Sequence, residues 1–466
     1  MRKAILFPLF LLILWQRPAA AYSLLTHEQL IDLAWKSSIV PLLLSHYPGL
    51  TPAQLDQARA YAYGGCVIQD VGYYPFGDQS FSDLTHYVRS GDFVVNLFRN
   101  AQNADELAFA VGALSHYIGD SVGHRLATNR AVPIEFPKLA AKYGPVVSYS
   151  EGEHQHVQTE FAFDIDEIAH HRLAPLGFLR HIGLKVPVKQ LALAYYQTYG
   201  LREDFTSRRS RRFNLRDYRF AVRTFIPRVA YALTLLHRRH EPQEPDTPEC
   251  REMIAQAAAL NRENHWDSWR HKAGFETYVL AGLIFILPKI GPLKLVDVKG
   301  PTTATEADYM HSLALSSTIL RRMLARFTPP TAGAPAGTHA PSSLTSPLIP
   351  ATAPETLLQS SDPKHPLPNR DLDTGYVVQP GGYRLTDSTY ASLLHRLVQD
   401  PGQAIPPGIK RDVLAYYADP NAPITTKKDP QRWAQVQADL ATFEKMPTST
   451  EPQPYPTYGD DAASAQ

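Results

Sequence analysis

Apolar residues recur at three- and four-residue steps from Thr26 to about Phe327, and period-two alternation is rare. The pattern predicts an all-α chain. Its clearest helix is DELAFAVGALSHYIGDSV, beginning at Asp105. THEQLIDLAW reads as a helix with Thr26 as N-cap and Leu30, Leu33 and Ala34 on one stripe. FAVRTFIPRVAYALTLLHRRH and EADYMHSLALSSTILRRMLARF each end in basic residues, which suit a helix C-terminus. Tyr278 to Leu287 is almost wholly apolar but too short to span a bilayer, so it reads as a buried core helix rather than a membrane-inserting hairpin. Ten prolines fall between Pro329 and Pro368 among Ala, Ser and Thr, predicting an extended linker. Helical patterns return in STYASLLHRLVQD, GIKRDVLAYYAD and RWAQVQADLATFEKM. The expected organisation is a segment 1–21 that is removed, a helical domain 22–328, a Pro-rich linker 329–368, a small helical extension 369–446 and a mobile tail 447–466.

The first residues fit a secretory signal peptide: Arg2 and Lys3, an apolar run from Ala4 to Trp15, and an A-x-A site at Ala19 to Ala21. Cleavage after Ala21 makes Tyr22 the mature N-terminus, places the protein outside the cytoplasm, secreted or periplasmic, and leaves no transmembrane segment. Near-balanced charge, net +1, gives no overall field for nucleic acid or anionic membrane. Two cysteines, Cys66 and Cys250, permit a disulfide after export but form no metal-type cluster, so any metal ligands are nitrogen and oxygen.

Chemistry concentrates in one third of the chain. His116, Asp120 and His124 are spaced by four, which puts them on one helix face. His156 and Glu160 repeat that spacing, and His27, Asp70 and His86 lie nearby in sequence. Imidazole mixed with carboxylate suits Zn²⁺. So many groups exceed the needs of one ion and point to a multinuclear zinc hydrolase. A freed α-amino group and carbonyl at Tyr22 can chelate a further ion within reach of His27. Asp78 and Asp83 compete with Asp70, and Arg208, Arg209, Arg211 and Arg212 form a basic run read as an exposed loop. Trp266 and Trp269 read as core packing.

The ordered set resembles the bacterial zinc-dependent phospholipase C family, which is related to single-strand-specific zinc nucleases. The resemblance rests on an aromatic at Tyr22 with His27 five residues on, Asp70 in QDVGYYPFGD, His86 in SDLTHYV, His116-x3-Asp120, a further His, and His156-x3-Glu160. It implies an all-α phospholipase C/nuclease-like fold with up to three Zn²⁺ ions. Asp70, His86, His116 and Asp120 would hold the first ion, and His124, His156 and Glu160 the second. Tyr22, His27 and a shared oxygen of Asp120 would hold the third. A zinc-activated water would attack phosphorus of a glycerophospholipid at a membrane surface, with Asp70 also orienting it or accepting its proton. Two departures stand out: Tyr22 replaces the family's usual Trp, and Asp120 to His124 is four residues instead of six, which makes His154 a substitute for His124. Glu160, where the nucleases tend to have Asp, favours lipid, and no stable nucleic-acid partner is expected. The alternatives are a single-strand-specific nuclease and a metal-stabilised, non-enzymatic surface protein.

Overall fold

The computed structural model describes residues 23–73, 77–203, 205, 219–220, 222–223, 226–237, 244–270, 274–287, 298, 300–327 and 365–450. Tyr22, the removable segment 1–21, the basic run 208–212 and most of the Pro-rich linker lie outside the described residues. Among the described residues the chain is all-α, with two isolated β-bridges and no strand. The helices that matter for the site are α1 (Leu24–Ala34), α2 (Pro52–Gly65), α3 (Gln79–Tyr87), α4 (Ser90–Arg99), α5 (Ala104–Gly123) and α6 (Glu153–Ala169). Around them lie α7 (Ile226–His237), α8 (Pro248–Glu263), α9 (Phe275–Ile286) and α10 (Thr303–Phe327). The extension supplies α11 (Arg384–Leu397), α12 (Pro407–Tyr416) and α13 (Pro430–Phe443).

The central helix α5 starts where Asn103 accepts a hydrogen bond from the Glu106 N–H, and it is buried along nearly its whole length. It crosses α2 at close range because both helices present glycine there. A Cβ on Gly65 would sit 2.0 Å from the Phe109 carbonyl oxygen, and one on Gly112 would sit 2.2 Å from that of Ala62. Only a bare Cα allows that approach. One turn beyond Gly112 comes His116, so this crossing delivers the first site residue to the end of α2.

Helix α1 begins two residues before Thr26, which corrects the N-cap expected there. The capping comes from another helix: the Asp164 carboxylate of α6 accepts hydrogen bonds from the Leu25 and Thr26 N–H groups and from the Thr26 hydroxyl, at 3.1, 3.2 and 2.8 Å. A carboxylate at a helix N-terminus meets both the unpaired N–H groups and the positive end of the dipole. This fastening fixes His27 on the first turn.

The extension packs back on the helical domain. Leu367, Leu372, Leu394 and Ile409 share one hydrophobic cluster with Phe93, Leu97 and Tyr199. Cys66 and Cys250 are free, buried in different clusters. Trp266 is buried edge-on to Phe178, as core packing requires. Helix α9 departs from its expectation. The run Tyr278–Leu287 is helical but does not enter the core: Ala281 and Ile284 pack against α6 and α7, whereas Phe275, Phe285 and Ile286 are 82%, 76% and 78% exposed. A locally apolar sequence fixes neither how many sides of a helix are covered nor by what.

Beside α6, Arg172 gathers four acids, donating to Glu167, Asp166, Glu306 and Glu244 at 2.7, 2.6, 2.9 and 3.0 Å. Asp166, His170 and Glu306 are close enough together to hold a metal. The guanidinium already supplies the cation there. A hydrogen bond to Asp166 raises the His170 pKa to about 9, against burial. The stabilisation from its protonated ring is therefore complete below its ordinary value near 6.5 and is lost as pH rises through about 9. His170→Gln should lower stability by about 1–2 kcal/mol near pH 6, after discount for partial exposure, and by much less near pH 10. Denaturant titrations at both pH values check this, and an equal loss at each would contradict it.

Candidate metal centre

Two groups of ligand-type side chains converge inside the helical domain. Asp70, His86, His116 and Asp120 form one, with one ligand atom from each lying within 4.8 Å of the others, and His124, His156 and Glu160 form a second on the same criterion. All seven side chains are buried, none more than 1% exposed. Asp78 instead caps α3 through the Ser80 N–H, and Asp83 accepts from the Tyr73 hydroxyl. Neither joins the groups.

Each imidazole of the first group is fixed by its outer nitrogen. Nδ1–H of His116 donates to the Cys66 carbonyl at 2.9 Å, and Nδ1–H of His86 to the Ser82 carbonyl at 2.8 Å. These bonds select the tautomer whose free Nε2 faces inward. The His86 Nε2 lies 3.2 Å from Asp70 Oδ1 and 3.3 Å from Asp120 Oδ2, and the His116 Nε2 lies 3.0 Å from Asp120 Oδ2. The other oxygen of Asp120 points elsewhere: Oδ1 is 3.2 Å from Nε2 of His27, whose ring stacks on His116 with centroids 4.1 Å apart. One carboxylate thus faces two sets of imidazoles, the arrangement a bridging ligand needs.

The second group sits one helical turn along. His124 follows α5 at the start of a π-helical turn, His124–Thr128. The His124 N–H still donates to the Asp120 carbonyl, so an ordinary helical step of four sets His124 beside His156 and Glu160 before the turn widens, whereas His154 faces solvent. The His156 Nδ1 is 2.8 Å from Glu160 Oε1, and the His124 Nε2 is 3.7 Å from the same oxygen. Nε2–H of His156 donates to Asn129 Oδ1 at 2.8 Å, Asn129 lying just past the π turn.

Electrostatics sharpen the picture. Burial pushes the Asp120 carboxyl up, but His116 and His27 outweigh it and hold the group well below the usual carboxylate range. His86 and His116 are raised despite burial, chiefly by the Asp120 carboxylate close beside them. Burial lowers His27, His124 and His156, and raises Glu160 well above its ordinary value with help from Asp70 and Asp120. Both oxygens of Asp70 and of Asp120, Nε2 of His86 and of His116, Nδ1 of His156 and Oε1 of Glu160 make no hydrogen bond. Buried polar atoms seldom lack partners. Those lacking one here aim at one another, as divalent cations would require, and nitrogen–oxygen donor sets of this kind fit zinc.

Sequence reasoning missed three residues that complete the arrangement. Asp164 continues the His156, Glu160 stripe by a further step of four and fastens α1. Asn129 orients His156. Asp373, from the extension, reaches the second group: its Oδ1 lies 3.7 Å from Nδ1 of His124. The first was visible as spacing, and the other two carried no pattern.

Asp120→Ala should remove at least one zinc per chain relative to the unaltered protein, because a single carboxylate serves both faces. Elemental analysis of the dialysed proteins reads this directly, and equal metal content would contradict the shared role. The chain matched no curated protein and no solved structure. Residues 26–203, under half of the chain, match the model of a family described as zinc dependent phospholipase C. Both groups of ligand-type side chains fall inside that range, over which the chain is similar to the zinc-dependent phospholipase C family.

Proposed function

We propose that the protein is a secreted or periplasmic phospholipase C that uses up to three zinc ions to hydrolyse a glycerophospholipid on the glycerol side of phosphorus. The observation that carries this reading is the split orientation of Asp120, one oxygen toward His27 and the other toward His86 and His116. Zinc held by these residues would supply Lewis acidity, activating water at neutral pH and offsetting negative charge on the phosphate. Asp70, His86, His116 and Asp120 hold one ion, and His124, His156 and Glu160 another. His27 serves a third together with the amino group and carbonyl of Tyr22, freed when the 1–21 segment is removed. Asp70, whose two buried carboxylate oxygens make no hydrogen bond, also orients the attacking water or takes its proton. Displacement then breaks the bond from phosphorus to the glycerol oxygen, which receives the proton taken from the water, giving diacylglycerol and a phosphorylated head group.

A phospholipid bilayer is the proposed partner. Among the described residues no helix is long and apolar enough to cross a membrane. Helix α9 offers a different mode, lying in the interface with Phe275, Tyr278, Phe285 and Ile286 turned outward. Basic groups accompany it: Arg228 lies 3.6 Å from Glu276, and Arg180 feels both Arg228 and Arg223. Arg270 precedes α9 in sequence, and Lys289 and Lys294 follow it.

One observation favours a second reading, a non-enzymatic protein stabilised by structural metal. Every side chain of both groups is buried, whereas a working site must admit its substrate. The protein loaded with zinc, assayed in parallel on phosphatidylcholine and on single-stranded DNA, separates the readings. Release of phosphocholine without nucleotides is expected, with Asp70→Asn slower by about 10²-fold or more. Nucleotide release alone would establish a nuclease, and no release from either would favour the structural role. For the membrane contact, Phe285→Glu combined with Ile286→Glu should cut hydrolysis of bilayer vesicles by about tenfold. The same variant should leave hydrolysis of a monomeric short-chain phospholipid nearly unchanged. Equal activity of variant and parent on both substrates would remove α9 from the account.

A further inference from the structure

We infer that the extension builds the outer half of the second metal centre, with Asp373 the residue that positions both of its histidines. The inference rests on the zinc reading above, but Asp373 lies far outside the matched range 26–203. It sits at the tip of a tight turn. The Asp371 carboxylate accepts from the Thr374 N–H at 2.9 Å and the Thr374 hydroxyl at 2.7 Å, and the Gly375 N–H donates to the Asp371 carbonyl at 2.9 Å. Gly375 has φ +70°, and a Cβ there would lie 2.2 Å from the Ser121 carbonyl oxygen, so glycine lets the turn press against the end of α5. The strand of chain leading into it is fastened to the helical domain. Pro368 O accepts from the Tyr117 hydroxyl at 2.6 Å, Arg370 O from the Ser90 hydroxyl at 2.6 Å, and the Leu372 N–H donates to the carbonyl of His86 at 3.1 Å.

From that tip Asp373 acts on both imidazoles. Its carboxylate is held from two sides, Oδ2 accepting from the Tyr87 hydroxyl of α3 at 2.9 Å and from the Tyr383 hydroxyl of the extension at 2.7 Å. Its remaining oxygen faces Nδ1 of His124 at 3.7 Å, the nitrogen opposite the one directed at Glu160. Asp373 therefore stands behind the ligand rather than between ligand and metal. A small inward turn of the His124 ring would close a carboxylate–histidine bond of the kind that sets ring orientation and raises ligand basicity. The main chain of Asp373 serves the other histidine. Its carbonyl accepts from Asn129 Nδ2 at 2.7 Å, which forces Oδ1 of that amide toward His156 and so leaves the His156 Nδ1 directed at Glu160. One residue thus fixes two ligand orientations, one through its side chain and one through its backbone.

The test compares the full-length wild type with Asp373→Ala, Asp373→Asn and Tyr383→Phe. Zinc affinity is read by competition with a chromophoric chelator, and site geometry by the visible absorption of the Co²⁺-loaded proteins. Asp373→Ala should weaken the most loosely held zinc by about 10- to 100-fold and alter the Co²⁺ bands. Asp373→Asn and Tyr383→Phe should do so by smaller factors. Metal-free melting temperatures, which a purely structural role would lower, should stay close to wild type for Asp373→Asn. Unchanged zinc affinity and Co²⁺ spectra in Asp373→Ala, with the wild type holding zinc normally, would overturn the inference. So would faster hydrolysis at unchanged zinc affinity, which would make the turn a cover over the site. A wild-type chain that takes up no zinc would overturn the metal reading itself and this inference with it.

Discussion

Carboxylates and imidazoles brought together away from water set the terms for this structure. Asp70, Asp120 and Glu160 lie in one buried region, where ionised groups are expensive unless matched by positive charge. Protons on His86 and His116 offset only part of that cost, and doing so spoils the imidazole nitrogens as ligands. Divalent cations resolve the conflict, allowing every carboxylate to ionise and every ring to stay neutral. The surrounding fold is arranged for that outcome. Backbone carbonyls of Cys66 and Ser82 hold the outer nitrogens of two rings, and the glycine-lined crossing of α2 with α5 sets where the Cys66 carbonyl lies.

Regular spacing accounts for what the sequence made legible. Four-residue steps along α5 and α6 put His116, Asp120, His156 and Glu160 on common faces, and the all-α class follows from the same periodicity. What escaped was set by contacts between distant segments. Asp373 is one aspartate in a polar turn, and nothing local marks it as a neighbour of His124 some 250 residues earlier. Asn129 gains its meaning only from a π-helical turn that no propensity announces. Thr26 looked like a cap because its own neighbourhood suits one, yet Asp164 from another helix does the capping. Helix α9 shows the same limit in reverse. Its composition matched a core segment, and the side left uncovered could be known only from what packs beside it.

Domain organisation takes on a different aspect in this light. The family match ends at residue 203, yet the hydrophobic cluster under the site continues through α11 and α12, and the turn at Asp373 touches both α3 and the end of α5. The extension is packed into the architecture of the site rather than carried beside it. Its Asp373 lies against His124 of the second group, so the extension bears on both the burial and the support of that group.

The central claim is that cations occupy the two buried groups. Crystals of the mature, zinc-loaded protein measured on both sides of the zinc absorption edge test it most directly. The account predicts anomalous peaks between Asp70, His86, His116 and Asp120 and between His124, His156 and Glu160, with further density beside His27. Anomalous maps lacking peaks at both groups, with the side chains instead bonded to one another through protons or water, would contradict it.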